Sequence, residues 1–227
     1  MPGAAAPSSP AAAASPDGAR GEGACGDASI ITRLVDGRRI CIRTVTTHDE
    51  ERLRNGIARM SPRSRYLRFF SGATTPPDWV IERLLDADGV LHLAWGAIDI
   101  DHPEQPAMGV VHAIRPDAGE RVAEFSIGVV DEYHGLGLGR MLAATLLLDT
   151  RDDGLDALSA HVLYENTAAM AFIRQLGAEK VARDGTTLEY RLDIAEAVTR
   201  LREKREPSGL ADVFAYFDRL EAGASKP

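Results

Sequence analysis

Apolar and polar residues alternate in several short segments of the chain and recur at helical spacing between them. In residues 121–130, Ala123, Phe125 and Ile127 fall on one face, whereas Glu124 and Ser126 fall on the other, so one face of this strand is predicted to be core. Strands are predicted at residues 38–43, 90–100, 107–115, 121–130 and 157–163 and in a hairpin over 179–192; helices are predicted near 47–57, 76–85, 136–152 and 166–176. This order predicts a mixed α/β domain built on one sheet.

The two ends of the chain differ from this pattern. Residues 1–28 are rich in Ala, Pro, Ser and Gly, lack the features of a secretory signal and are predicted to be a disordered tail. Residues 29–193 form the predicted domain, and residues 194–227 a helical extension in which Leu210, Val213 and Phe217 recur at helical spacing. We interpret this last segment as a helix docked on its own domain; the alternatives are a dimer contact or a lid.

Composition narrows the classes of function. A net charge of −8 over 227 residues argues against nucleic acid or an acidic membrane as the main partner, and no apolar run is long enough to span a bilayer. Cys41 is predicted to lie in the domain and Cys25 in the tail, so no structural disulfide is expected and the cytoplasm is the simplest setting. The six histidines are scattered, so no metal site is expected.

A glycine-rich turn between the strand at 121–130 and the helix at 136–152 carries the strongest chemical signal. Gly135, Gly137 and Gly139 let the backbone approach a ligand closely, and the first amides of the helix have no partner within it. With the helix dipole, these amides form an anion site suited to a phosphate. The spacing does not fit Gly-x-Gly-x-x-Gly or Gly-Lys-Ser/Thr, since Arg140 or Leu142 stands where the former needs its third glycine. A purely structural turn is the alternative.

Residues 134–139 resemble the Arg/Gln-x-x-Gly-x-Gly/Ala signature of the GNAT superfamily of acyl-CoA-dependent N-acetyltransferases, with His134 in place of Arg or Gln. Residues 164–178 are similar to its Asn-x-x-Ala…Leu-Gly-Phe segment. The resemblance spans about residues 38–192 and implies a mostly antiparallel sheet of six to seven strands flanked by helices. It also implies acetyl-CoA as co-substrate. The residues expected at coenzyme A are Val129, Val130, His134, Gly135, Gly137, Leu138, Gly139, Arg140 and Asn166.

The chemistry of N-acetylation requires a neutral amine. A lysine with a pKa near 10.4 is protonated at neutral pH, so a base or a desolvating pocket must help to remove the proton. Glu124 is the candidate base because it lies on the open face of the strand that leads into the glycine turn. The same observation fits a solvated carboxylate on a half-exposed sheet.

A narrower resemblance favours the first of these roles. Residues 61–70 are similar to the Ser-Pro-x-Ser-x-Tyr-x-Arg-Phe-Phe segment of bacterial protein lysine acetyltransferases, which act on acyl-CoA synthetases. Residues 123–125 resemble the strand in which those enzymes carry a Glu general base, which implies this role for Glu124 and an acyl-CoA synthetase as acceptor. A small-molecule amine acetyltransferase and a non-catalytic acyl-CoA sensor are the alternatives, and homodimerisation stays open.

Two further roles stay open at this stage. Arg63, Arg65 and Arg68 either grip an acidic substrate surface or are solvated around a core formed by the neighbouring aromatic residues. The superfamily often places a Tyr general acid seven residues after the Asn, where this chain has Ile173. The proton donor for the thiolate is therefore unassigned, with Tyr164, Ser126 or water as candidates.

Overall fold

The computed structural model describes residues 25–224 except 27, 72, 74, 103 and 205. Most of the tail predicted at residues 1–28 lies outside this part of the chain. The strands are β1 (Ser29–Arg33), β2 (Arg39–Thr44), β3 (His92–Asp99), β4 (Ala107–Ile114), β5 (Val122–Val129), β6 (Ala157–Leu163), β7 (Glu179–Asp184) and β8 (Thr187–Asp193). The helices are α1 (Glu50–Arg59), α2 (Pro62–Phe69), α3 (Asp78–Leu85), α4 (Leu138–Asp152), α5 (Thr167–Gln175), α6 (Ile194–Glu203) and α7 (Leu210–Ala224).

The strands form one sheet in the order β1-β2-β3-β4-β5-β6-β8-β7. Every neighbouring pair is antiparallel except β5 and β6, which are parallel. A parallel pair needs a long crossover, and α4 supplies it, so the glycine turn sits at the C-terminal end of β5. The predicted mixed α/β fold is confirmed, and the described sheet has eight strands rather than six or seven.

Two elements were not predicted from the pattern. β1 is a five-residue strand that buries Ile30 and Thr32 but leaves Ile31 58% exposed, so it carries too few apolar positions to stand out beside a tail. α2 has no buried residue, and helix periodicity detects only helices with a continuous apolar stripe. Ser61 caps α2 by accepting a hydrogen bond from the Ser64 amide.

The core lies between the sheet and α4, whose residues from Leu138 to Leu148 are almost all buried. α6 and α7 both pack against α4, and α7 also contacts β1. Tyr216 and Phe217 of α7 stack around Trp95 of β3, with ring centroids 6.3 and 6.1 Å from the indole. The C-terminal helices therefore share the core of the sheet domain. None of the helices in the described ranges is long and apolar enough to cross a bilayer.

The expectation of unpaired cysteines is wrong. Cys25 and Cys41 form a disulfide with a Cα–Cα distance of 6.2 Å. β1 pairs with β2 and places Ile31 opposite Cys41, so the segment that precedes β1 stays within reach of Cys41, which a prediction without β1 could not anticipate. The paired cysteines therefore give no support to a reducing compartment.

Asp149 of α4 makes stability depend on pH. Burial raises its pKa to about 6, against the effect of the Trp95 indole, whose N–H donates to Asp149 Oδ2 at 2.7 Å. Because the folded-state pKa is above the unfolded value, the protonated form is favoured by folding, and this stabilisation is lost as pH rises through about 6. We expect Asp149→Asn, which keeps an acceptor for Trp95, to raise the free energy of unfolding at pH 7.5 by about 1–3 kcal/mol.

Denaturant unfolding at pH 5 and pH 7.5 measures this effect. The wild type should lose stability between the two values more steeply than Asp149→Asn. Asp184→Asn, at the exposed end of β7, is the matched control and should keep the wild-type slope. Equal slopes for wild type and Asp149→Asn would contradict the assignment.

Candidate active site

A cleft opens where β5 and β6 separate. The two strands pair only from Val122 to Glu124 on β5 and from Ala157 to Ser159 on β6, and then diverge. The resulting cavity has a volume of about 1280 Å³ and is lined by β5, β6, the glycine turn, α2, α5 and residues 206–208. A parallel pair that splays exposes strand backbone to a ligand, so an extended molecule can lie against β5 as a further strand would.

The glycine turn closes one end of this cleft. Gly137 is the N-cap of α4 and has φ of 87°, a left-handed conformation that favours glycine. The Arg140 and Met141 amides bond to the Gly137 carbonyl, so α4 begins at the turn and directs its first amides towards the cleft. Free amides at a helix start, together with the helix dipole, are the features that the sequence analysis expects of an anion site.

Segments from distant parts of the chain hold the turn in place. The Val35 amide donates to the Leu136 carbonyl at 3.2 Å. Pro207 packs against Gly137 so closely that a Cβ at position 137 would lie 2.6 Å from Pro207 Cγ. Arg140 donates to the carbonyl of Glu206 at 3.3 Å and to Gln175 Oε1 at 3.1 Å. Residues 206–208 thus form one wall of the cleft, a role that only the Pro-Ser-Gly break after α6 could have signalled in the sequence.

The cleft brings together nearly all of the residues expected at the ligand. Its lining includes Glu124, Val129, His134, Gly135, Gly137, Leu138, Gly139, Arg140 and Asn166. Val130 is the exception, because its side chain is buried and its amide donates to the Met108 carbonyl on β4. Strand residues alternate in hydrogen-bonding direction, so Val129 instead directs its backbone to the open side.

Two of these side chains already have local partners. His134 Nε2 lies 2.9 Å from the Val129 carbonyl oxygen, which can only accept, so that nitrogen carries the proton. Asn166 caps α5, with Oδ1 accepting from the Ala169 amide at 3.1 Å. Capping accounts for the residue type at 166, and the same side chain lies on the cleft.

Glu124 stands at the point where the cleft begins. It is the last β5 residue paired to β6, opposite Ser159, and its side chain is exposed at the cleft. The side chains of Ser126 and Glu124 share one face of β5, as the alternation predicts. The glycine turn and an accessible carboxylate therefore lie along one strand that splays from its neighbour.

Comparison with known proteins agrees with this geometry. A protein-family model described as "Acetyltransferase (GNAT) family" matches residues 63–178, which is more than half of the chain. This protein belongs to the GNAT acetyltransferase family.

Individual relatives share less than a third of their aligned residues with this chain. The chain is 27% identical over 169 residues to acetyltransferase PA5475 of Pseudomonas aeruginosa, covering 71% of this chain and 88% of that one. It is 28% identical over 153 residues to acetyltransferase Pat of Mycolicibacterium smegmatis, covering 67% of this chain but only 45% of Pat.

Solved structures show the same fold. The GNAT domain of S. lividans PAT superposes with a TM-score of 0.66 at 22% identity, covering 73% of this chain and 96% of that domain. The PaiA N-acetyltransferase of Thermoplasma acidophilum, solved with coenzyme A, has a TM-score of 0.52 at 19% identity and covers 68% of this chain and 98% of that one. The GNAT fold is thus one that binds coenzyme A.

In this GNAT protein, α2 is fastened to the start of the glycine turn. Ser61 and Ser64 each donate a side-chain hydrogen bond of 2.7 Å to Asp131 Oδ1, and the Ser61 amide donates to Oδ2 at 2.8 Å. Burial opposes ionisation of Asp131, but the bonds from the two serines outweigh it and lower its pKa. The two serines of the Ser-Pro-x-Ser segment therefore fix the position of α2.

The rest of α2 divides between the cleft and solvent. Arg63 and Tyr66 both bond to Glu165, at 2.8 and 3.1 Å, and so connect α2 to the loop before α5. Arg68 lines the cleft, whereas Phe70 is 49% exposed rather than core. Arg63, Arg65 and Arg68 therefore do not form one common binding surface, and they are not all solvated.

The open face of β5 carries a side chain from α2. Arg68 lies beside Gly128, with Nε 3.6 Å from the place where a Cβ at position 128 would lie, and both residues line the cleft. Among the suggested proton donors, Ser126 lines the cleft, whereas Tyr164 is absent from its lining and is 54% exposed.

Proposed function

We propose that this GNAT acetyltransferase transfers acetyl from acetyl-CoA to a protein lysine by direct attack, with Glu124 as general base. The observation that carries the proposal is the position of Glu124 at the base of a cleft whose other end is the glycine turn. Acetyl-CoA is the co-substrate. The proposed contacts are pyrophosphate at the first amides of α4 and pantetheine along the open edge of β5 at Val129.

The chemistry follows from this placement. Glu124 takes a proton from the lysine ammonium, and the amine nitrogen attacks the thioester carbonyl carbon. The C–N bond forms, the C–S bond breaks and the thiolate of coenzyme A leaves, while the nitrogen gives up its second proton to solvent as the amide forms. A thiolate whose conjugate thiol has a pKa near 8.5 needs little acid assistance at neutral pH, so transfer can proceed without the Tyr that Ile173 replaces.

Three observations support a protein acceptor. The α2 segment resembles that of bacterial protein lysine acetyltransferases, Pat is among the relatives, and the Glu124 end of the cleft is exposed where a partner's lysine can enter. The proposed partner is an acyl-CoA synthetase. The proposed setting is the cytoplasm, because charged groups such as those of acetyl-CoA are costly to move through a bilayer.

Acetyl transfer from labelled acetyl-CoA to a panel of acyl-CoA synthetases tests this proposal. Mass spectrometry should find acetylation at one or a few lysines of at least one synthetase, above the level without protein. A parallel panel of polyamines and amino-sugar amines measures the small-molecule alternative. Transfer only to small amines would overturn the protein acceptor, and tight acetyl-CoA binding without any transfer would favour the sensor.

A further inference from the structure

Arg68 is a cation that lines the same cleft as Glu124. The proposed acetyl transfer assigns no role to it. The side chain is half-buried and lies along the open face of β5, beside Gly128 and with Nη2 2.9 Å from Ser126 Oγ. Within the described residues, the guanidinium makes this one hydrogen bond. Its central carbon also lies 5.2 Å from the centroid of the Phe69 ring. Burial lowers the pKa of Arg68 to about 10, partly offset by the negative charge of Glu124.

A guanidinium in this position has more N–H donors than hydrogen-bond partners. It carries five N–H groups and no acceptor, and it stays protonated at neutral pH. When a donor molecule fills the cleft and displaces water, unpaired N–H groups of a charged side chain become costly unless an anion is close. An anion that meets a desolvated cation is held more strongly than it would be in water.

The acyl-transfer reaction itself creates such an anion. As the amine attacks, the electron pair of the carbonyl double bond moves to oxygen, and the negative charge stays there until the C–S bond breaks. Donors placed beforehand at the site of that charge account for much of the rate in acyl-transfer enzymes.

We propose that the Arg68 guanidinium stabilises the oxyanion of the tetrahedral intermediate, which makes Arg68 a catalytic residue beside Glu124. The inference rests on the proposed acetyl transfer. No proton moves to Arg68: one ammonium proton goes to Glu124 before attack, and a second passes to solvent as the amide forms. The carbonyl electron pair returns from oxygen, and the thiolate takes the electrons of the C–S bond.

The surrounding structure holds Arg68 for this task. Gly128 leaves the space that its side chain occupies, and Ser126 fixes its Nη2 group. Ser61 and Ser64 anchor the start of α2 to Asp131, at the beginning of the glycine turn. The element that carries Arg68 is thus fastened next to the loop proposed to hold the phosphates, which keeps the two ends of the acyl donor in register.

Steady-state kinetics of Arg68→Ala and Arg68→Lys test the proposal. We expect kcat of Arg68→Ala to fall by about 100-fold, with the Kd of coenzyme A changed by less than about threefold. Added methylguanidinium should restore part of the lost kcat in Arg68→Ala, since the truncated side chain leaves room for it, and Arg68→Lys should be intermediate. Arg183→Met, an exposed arginine on β7, is the matched control.

Release of coenzyme A with water as acceptor is measured alongside amine transfer, because hydrolysis passes through the same oxyanion. If the wild type hydrolyses acetyl-CoA but acetylates no amine, the proposed function fails while Arg68 is still tested. If the wild type acetylates lysine and Arg68→Ala keeps its kcat within about threefold, the Arg68 inference alone fails. A wild type that cleaves no thioester would overturn both.

Two further outcomes would also overturn the inference. One is a folded Arg68→Ala with native coenzyme A affinity and lowered kcat that methylguanidinium does not rescue. The other is a loss confined to succinyl-CoA with acetyl transfer unchanged, which would make Arg68 a binding group for an acyl carboxylate.

Discussion

Replacing Glu124 by Gln is expected to lower acetyl transfer at neutral pH by about 10²–10⁴-fold and to leave coenzyme A binding unchanged. Gln has nearly the same shape as Glu but cannot accept the proton of the amine. The deficit should shrink as pH rises towards 10, because a lysine amine then loses its proton to solvent without help. The measurements are initial rates from pH 7 to 10 and the Kd of coenzyme A by calorimetry.

Glu120→Gln is the matched control, since it removes the same charge from an exposed position in the loop before β5. It should behave as the wild type. If Glu124→Gln keeps full activity, Glu124 is a solvated carboxylate at the cleft and another group or water takes the proton. A protein that regulates a partner by sensing acyl-CoA would likewise be insensitive to this change.

Replacing Gly137 by Val should abolish coenzyme A binding. A β-branched residue at φ of 87° costs about 1–3 kcal/mol in backbone strain. In addition, its Cβ would lie 2.6 Å from Pro207 Cγ, so either the 206–208 segment or the start of α4 must move. Since both line the cleft, we expect loss of detectable coenzyme A binding by calorimetry and a lower melting temperature.

Gly154→Val separates the two effects. Gly154 has φ of 79°, a Cβ at this position would meet no atom within 4 Å, and the residue follows α4 at the end away from the cleft. This variant should lose stability from strain alone and bind coenzyme A as the wild type does. Coenzyme A affinity retained in Gly137→Val would sink the assignment of the glycine turn as the phosphate site.

Much of the fold could be predicted because the signals involved are local. Alternation identified β3 to β6, and the glycine turn marked the junction between β5 and α4. β1 and α2 escaped because neither has a continuous apolar face, and Ile31 and Phe70 point outward. The disulfide could not be predicted for the same reason, since the pairing of β1 with β2 is what keeps the segment with Cys25 within reach of Cys41.

The residues of the site, too, could be predicted only where their roles follow from the local sequence. Glu124 and the glycines could be named because their roles follow from one strand and the turn after it. Arg68 and Pro207 could not be placed, because their positions at Gly128 and Gly137 depend on contacts between remote segments. Whether Val129 or Val130 directs its backbone groups to the cleft likewise depends on the register between β4 and β5.

The anchoring of the glycine turn has a consequence for the order in which the protein acquires its parts. The turn contacts Val35, far earlier in the chain, and Glu206 and Pro207, far later. Contacts between segments so distant in sequence form late, since closing long loops costs entropy before the contacts can offset it. A ribosome-bound chain that has released β5 and α4 but not yet residue 207 therefore holds a sheet and a helix without a finished cleft.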